Sequence, residues 1–167
     1  HRDEEVKIGK FLKRVQEKVP GLLTIMAPRH PNRGPEIQQD LDNLGLTTAL
    51  RSKGEPITAQ TDVYIADTIG EVGIWYDLAP LVFIGGSLIP HGGQNFMEPS
   101  RMRDAVIVGP HMFNFTDAMN RAKKADAVIQ VNDVLELEET VLQLLTHKEL
   151  LEAKRSLAYN WAHGEAK

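Results

Sequence analysis

The chain contains no cysteine, which excludes disulfide bonds, thiolate metal sites and catalysis by a thiol. It also lacks an apolar run of the roughly 18 residues that a membrane-spanning helix needs, and no signal peptide is visible. Acidic residues outnumber basic ones, 23 to 19, so nucleic acid is not an expected partner. Because His91, His147 and His163 show no metal-ligand spacing, we expect no protein-held metal. No cofactor is expected either.

The sequence predicts a single α/β domain. Short β-branched runs alternate with longer helical patterns, which is typical of βα units around a parallel sheet. The predicted strands are 22–27, 46–50, 62–67, 81–86, 105–109 and 127–131. The predicted helices are 3–19, 34–44, 70–79, 95–102, 115–125, 133–146 and 147–163. We therefore expect one Rossmann-like domain over residues 1–167, with a doubly wound parallel sheet of six strands.

Two predictions concern the burial of particular elements. "LLTIMA" (22–27) is a continuous apolar run, as expected of a strand buried on both faces. In the first helix, Val6, Phe11, Val15 and Val19 recur at helical spacing and should form its apolar face.

Polar residues and glycines follow several of the predicted strands. In an open α/β sheet, ligands bind beyond the carboxyl ends of the strands, so these residues are the candidates for a site. The first strand is followed by Pro28, Arg29 and His30, and the third by a loop that contains Gly70 and Glu71. "RSKGEPITAQ", after the second strand, is interpreted as a plain loop.

The stretch "FIGGSLIPHGGQNFMEP" (83–99) contains two double glycines, Gly85-Gly86 and Gly92-Gly93. Glycine lets backbone approach a ligand closely, and N–H groups at a helix N-terminus attract anions, which together favour a phosphate or carboxylate site. The alternative is that the glycines only form tight turns. The pattern is not the G-x-G-x-x-G of dinucleotide sites.

Four side chains near these loops have both a functional and a structural interpretation. Glu98, one turn into the next helix, suits the two hydroxyls of a ribose or, equally, the helix dipole. Glu71 suits a helix start or a nucleotide contact. Arg29 offers a fork for an anion, and His30 a hydrogen-bond donor, although a lone surface Arg or His is commonly structural.

Three segments, "DVYIADTIGEVGIWYDLAPLVFIGGSLIPHGGQNFMEP", "VGPHMFNF" and "APRHP", closely resemble 3-deoxy-D-manno-octulosonic acid (Kdo) transferases. That family transfers Kdo from CMP-Kdo to lipid A precursors in lipopolysaccharide biosynthesis, and has the GT-B architecture of two Rossmann-like domains. The resemblance runs from about residue 20 to the end of the chain. It implies that this chain is the C-terminal, donor-binding half.

The resemblance implies the following site residues. The CMP-binding positions fall on Pro28, Arg29, Gly70, Glu71, Val72, Asn95, Phe96, Met97 and Glu98. Contacts to the phosphate or the sugar acid fall on His30, Gly86 and Ser87. No catalytic residue is expected here, because the general base of the family lies in its N-terminal domain.

Two departures from the family pattern are visible. Gln94 stands where many members have histidine, and residues 101–103 replace the small residues often found there. The larger side chains at 101–103 either narrow the edge of the pocket or are only a feature of one branch of the family. In GT-B proteins the last helix can cross to the partner domain, so Leu150, Leu157 and Trp161 are expected to be exposed.

The implied reaction is an inverting transfer, without a metal, at the cytoplasmic face of the bacterial inner membrane. Membrane association and the lipid A precursor belong to the expected N-terminal part. Two alternatives stay open, namely another GT-B enzyme that uses a UDP-sugar and a non-catalytic Rossmann-like module.

Overall fold

The computed structural model describes the backbone of residues 2–165 and the side chains of residues 3–164. The chain divides into two compact units, the first ending at Val72 and the second beginning at Gly73. The bounds of the predicted single domain, residues 1 and 167, lie outside the described residues, and that domain stays a prediction. Within the described residues, no helix has the length and apolarity needed to cross a bilayer.

The first unit is a parallel sheet of three strands with helices. Its elements are α1 (Arg2–Lys18), β1 (Thr24–Met26), a 3₁₀ turn (Pro31–Arg33), α2 (Gly34–Asn43), β2 (Thr48–Leu50), a second 3₁₀ turn (Arg51–Lys53) and β3 (Val63–Ile65). The strand order is β1-β3-β2, and Ile65 is in register with both Met26 and Leu50. All three residues of β3 are buried, as expected of a central strand.

Strand β1 differs from its predicted burial. Its three side chains are only half-buried, whereas a strand buried on both faces was expected. β1 is an outer strand of β1-β3-β2, which lowers its burial relative to β3. Its position is not the whole reason, since two of the three residues of β2, the other outer strand, are buried.

Helix α1 contacts α2 through small and apolar residues. Phe11 and Val15 are almost fully buried, as predicted, while Val6 and Val19 are half-buried. Gly9 lies against Leu41, whose Cδ2 is 2.8 Å from the point that a Cβ at position 9 would occupy. A side chain there would have to displace the end of the buried Leu41 side chain, so glycine suits the close approach of the two helices.

The second unit also contains a parallel sheet of three strands. Its elements are α3 (Val72–Leu78, whose first residue ends the first unit), β4 (Leu81–Phe83), α4 (Met97–Arg101), β5 (Ala105–Val108), a 3₁₀ turn (Phe113–Phe115), α5 (Thr116–Lys124), β6 (Ile129–Gln130), α6 (Val134–Thr146) and α7 (Lys148–Glu165). The order is β4-β5-β6, and the four residues of the central strand β5 are all buried. The six predicted strands are thus present and paired in parallel, as two sheets of three where one sheet of six was predicted.

The last helix, α7, packs into the core of the second unit. Trp161 is 8% exposed, and its ring stacks on Phe96 with centroids 5.4 Å apart and planes 11° apart. Its predicted exposure is therefore wrong, because Phe96 and its neighbours cover the indole within the same unit. Leu150 and Leu157 are half-buried rather than exposed.

Arg103 also faces α7. It has a left-handed backbone, with φ of 65°, and its guanidinium donates to the Ser156 hydroxyl at 2.8 Å and lies 5.3 Å from the centre of the Tyr159 ring. Of the large residues at 101–103, this one contributes to helix packing rather than to a pocket edge.

Candidate functional site

In the first unit, two predicted site segments leave the sheet at the same edge. Strands β1 and β3 are parallel neighbours, and the Ala66 N–H donates to the Met26 carbonyl at 2.8 Å, just beyond the paired residues. The segments 28–30 and 67–72 start directly after these strand ends. The structure therefore brings them to one edge, as the rule for ligands in parallel sheets requires.

The side chains of these segments differ in exposure. Pro28 is half-buried, whereas Arg29 and His30 are exposed. Gly70 is exposed and has a φ of 80°, a conformation that suits glycine and bends the chain before α3. Val72, the first residue of α3, is 40% exposed.

The Glu71 carboxylate is already bound by the protein. The Arg51 guanidinium donates to both of its oxygens, Nε to Oε1 and Nη2 to Oε2, each at 2.7 Å. The Thr68 hydroxyl donates to Oε1 as well. These hydrogen bonds, first that from Arg51 and then that from Thr68, lower the pKa of Glu71 to about 2. The Glu71 side chain thus has a structural role, but as the partner of Arg51 rather than in the first turn of α3, which begins at Val72. The predicted contact of Glu71 with CMP stays a prediction.

In the second unit, the glycines of 83–99 serve the packing of a neighbouring loop. Gly92 and Gly93 are buried with φ of 85° and 77°. A Cβ on Gly92 would collide with the Asn114 side chain, and one on Gly93 with the sulfur of Met112. Gly86 has a φ of 72°, and its carbonyl accepts from the Gly93 N–H at 3.0 Å. The turn interpretation therefore accounts for this second pair, without any ligand.

Ser87 joins two strand ends. It is fully buried, and its hydroxyl donates to the Ile84 carbonyl at 2.5 Å and accepts from the Gly109 N–H at 2.8 Å. Its carbonyl accepts from the His111 N–H at 2.9 Å, so the residue is enclosed as a whole, and its contact with a phosphate or sugar acid stays a prediction.

Helix α4 is shorter than predicted and presents fewer free N–H groups. It contains five residues, and the N–H of Met97 donates to the Asn95 side-chain oxygen at 2.9 Å. Phe96 is buried beneath Trp161, and Met97 is half-buried. Of the predicted stretch 95–98, only Asn95 and Glu98 are exposed to solvent.

Glu98 points towards the first turns of α3. Its Oε1 lies 3.3 Å from the point that a Cβ on Gly73 would occupy. Its charge also contributes to raising the pKa of Tyr76, behind the larger effect of burial. A carboxylate that is exposed yet held between two short helices is well placed to accept from paired hydroxyls.

Sequence reasoning missed two polar residues, Arg51 and Ser52, that bind the 67–71 segment. Arg51 binds Glu71, and Ser52 binds Asp67, through both its N–H at 2.8 Å and its hydroxyl at 2.6 Å. A signal was present, since Arg51 and Ser52 directly follow β2, and the residues after a parallel strand are candidates by position alone.

Comparison with known proteins identifies relatives of the chain. No protein-family model matches it. It is 38% identical over 156 residues to the probable mitochondrial 3-deoxy-D-manno-octulosonic acid transferase of Arabidopsis thaliana, and 33% identical over 160 residues to the 3-deoxy-D-manno-octulosonic acid transferase of Haemophilus influenzae. These alignments cover 91% and 95% of this chain but 35% and 38% of the relatives. The chain thus spans about a third of the length of the curated relatives it matches.

A solved structure extends the likeness to three dimensions. The chain matches the crystal structure of the C-terminal CMP-Kdo binding domain of WaaA from Acinetobacter baumannii with a TM-score of 0.91 and 35% identity. The match covers 96% of this chain and 84% of that one. At this coverage, the likeness confirms the predicted α/β fold class.

Proposed function

The chain belongs to the Kdo transferase family, and on that premise we propose that it is the part of such an enzyme that binds the sugar donor, CMP-Kdo. The observation that carries the proposal is the match, over 96% of the chain, to a domain described as binding CMP-Kdo. The geometry of the first unit supports it, because the chain segments that follow β1 and β3 leave two neighbouring parallel strands at the same edge of the sheet.

The proposed division of roles follows from exposure and charge. In the first unit, Pro28, Arg29 and the backbone of Gly70–Val72 contact CMP, with His30 beside the phosphate. Arg29 is exposed, and its guanidinium matches the two oxygens of a phosphate. In the second unit, Glu98 accepts from the ribose hydroxyls, with Asn95, Phe96 and Met97 forming the rest of its segment. Gly86 faces the phosphate or sugar acid, and the buried Ser87 supports the loop behind it.

The proposed reaction is an inverting transfer in the complete enzyme. A hydroxyl oxygen of the lipid A precursor forms a bond with the anomeric carbon of Kdo while the bond from that carbon to the CMP phosphate oxygen breaks. The proton passes to a general base outside this chain. The task of this half is to bind CMP and stabilise the negative charge that develops on the leaving phosphate, which positioned cationic and N–H groups do best in a site that excludes water.

The proposal is tested by titrating the ¹⁵N-labelled chain with CMP. We expect the amide signals of Gly70, Glu71 and Glu98 to shift at millimolar CMP or below. Signals that stay in place at that concentration contradict the proposal. Equal shifts with UMP indicate a uridine-nucleotide enzyme instead, and shifts elsewhere in the chain favour a module of another kind.

A substitution tests the role of Glu98. Glu98→Ala removes two hydrogen bonds to a charged acceptor, so we expect CMP to bind about tenfold more weakly. Glu149→Ala is the matched control, because Glu149 is likewise an exposed glutamate in the first turn of a helix. Equal affinities of the Glu98 and Glu149 variants would remove Glu98 from the ribose role.

A further inference from the structure

Two consecutive residues after β2 bind two carboxylates in the loop after β3. Arg51 forms a two-pronged ion pair with Glu71, with both N···O distances at 2.7 Å. Ser52 donates to Asp67 twice, from its N–H at 2.8 Å and from its hydroxyl at 2.6 Å. The two carboxylates stand at the two ends of segment 67–71, so the dipeptide holds both ends of that loop.

The strand register explains why these groups meet. Leu50 and Ile65 are paired across β2 and β3, so the residues that follow each strand leave the sheet side by side. The Arg51 guanidinium also contacts the core of the sheet. Its Nη1 donates to the hydroxyl of Tyr64 at 3.1 Å, and Tyr64 is 5% exposed. The Arg51 guanidinium therefore bridges the core of the sheet and the loop.

Asp67, at the other end of the segment, is buried and hydrogen-bonded. It is 5% exposed, and its carboxyl group fills the space where a Cβ on Gly34 would lie. A carboxylate in such a place is stable only when hydrogen-bonded, and Ser52 supplies the bonds. Between the two anchored ends lie Thr68, Ile69 and Gly70, which have no regular structure.

Glu71 and Glu98 are both predicted ligand residues, yet their surroundings differ. Both oxygens of Glu71 are engaged by Arg51, and one also by Thr68. Three of the roughly four acceptor sites of this carboxylate are thus occupied, so a ribose that donated to both oxygens would have to displace one of these hydrogen bonds. Glu98 is exposed and borders Gly73, where there is no side chain in the way.

We propose that Arg51 and Ser52 are positioning residues that hold segment 67–71 in its donor-binding shape, and that the Glu71 side chain anchors this segment instead of contacting the donor. Contact with CMP then comes from the backbone groups of Gly70–Val72 and from the exposed Val72 side chain. The inference rests on the proposed function for the identity of the ligand, but the anchoring itself is a property of the free protein.

A double-mutant cycle tests the pair, with Arg51→Met, Glu71→Met and the combined variant. The readouts are hydrogen exchange of the amides 68–72 without nucleotide and the dissociation constant for CMP. We expect each single variant to exchange about tenfold faster there and to bind CMP about tenfold more weakly. Because both act through one interaction, the combined variant should lose no more than either single one.

The outcomes separate anchoring from direct contact. If Glu71→Met weakens CMP binding while Arg51→Met does not, or if the losses multiply to about a hundredfold, the inference is overturned. Ser52→Ala should accelerate exchange in the same amides. If the wild-type chain binds no CMP, the proposed function fails, whereas the exchange data still decide whether Arg51 and Ser52 order the loop.

A control variant and a milder variant distinguish a specific effect of Arg51 on segment 67–71 from a general loss of structure. Arg33 forms a comparable fork with Glu5, at 3.0 and 2.8 Å, in the same unit. Arg33→Met should leave exchange at 68–72 and CMP affinity unchanged, and an equal acceleration would contradict a specific role for Arg51. Arg51→Lys keeps the charge but loses the fork. If the methionine variants do not fold, hydrogen exchange in Arg51→Lys decides whether Arg51 positions the segment. We expect the amides 68–72 of that variant to exchange about threefold faster than in the wild type.

Discussion

Asp104 is a buried carboxyl group that takes no part in the proposed site. It precedes β5, is 1% exposed, and its Oδ2 has no hydrogen-bond partner among the described residues. Burial raises its pKa to about 8, with Arg155 opposing the shift and Asp77 adding to it. Because the pKa in the folded chain lies above that of an unfolded chain, the folded state binds the proton more tightly. The contribution of protonated Asp104 to the free energy of unfolding is therefore complete below about pH 4 and is lost as the pH rises towards 8.

Replacing Asp104 with its uncharged analogue should remove this pH dependence. Asp104→Asn mimics the protonated acid, so its free energy of unfolding should match that of the wild type near pH 4 and exceed it increasingly as the pH rises, by up to about 5 kcal/mol at pH 7.5. Urea unfolding at several pH values measures the difference. Asp126→Asn, at an exposed carboxylate, should follow the wild-type trend. A constant gap between Asp104→Asn and wild type across the range would contradict the burial argument.

At the residue scale, the sequence indicates which loops carry the site but not which side chains hold them. Polar residues and glycines after strands predict the segments 28–30 and 67–71, and both follow neighbouring parallel strands at one edge of the first sheet. The ion pair between Arg51 and Glu71 is not predictable in this way. It depends on β2 lying next to β3, and neighbouring order in a sheet is not encoded in local pattern.

At the element scale, α7 is the part of the second unit whose role the sequence least reveals. Trp161 contacts Phe96, which is distant in the sequence. The hydrophobic periodicity of a helix predicts which of its faces is buried but not which distant residue covers that face. By contrast, all six strands follow from short β-branched runs, whose pattern is local. The paired strands are shorter than those runs, and three 3₁₀ turns lie in stretches predicted as loops or helix starts.

Truncating Trp161 should destabilise the second unit strongly. Trp161→Ala leaves a cavity beside Phe96 and should cost about 3 to 5 kcal/mol in the free energy of unfolding. Trp161→Phe keeps the stacked ring and removes an Nε1 that has no partner between residues 3 and 164, so its cost should stay below about 1.5 kcal/mol. Denaturant unfolding followed by circular dichroism measures both. Similar costs for the two variants would mean that stacking on Phe96 is not the source of the stability.

At the scale of the whole molecule, the chain is expected to bind the donor but not to transfer the sugar. It spans about a third of the length of its curated relatives, and the proposed general base and acceptor site lie outside it. With CMP-Kdo and a lipid A precursor, mass spectrometry should detect no product above the protein-free control, while calorimetry detects CMP binding. The full-length transferase of Haemophilus influenzae serves as the positive control. Product formed by this chain alone would contradict the proposed division of labour.

The stacking of Trp161 on Phe96 also sets an order of events during synthesis on the ribosome. Phe96 is translated before the indole that covers it, which follows only after α4, β5, α5, β6, α6 and most of α7. Until then, the ring next to Asn95 and Glu98 has no cover from α7. The candidate ligand segment 95–98 is therefore expected to mature late in translation, and a ribosome stalled before Trp161 should carry a nascent chain whose Phe96 is still open to chaperones.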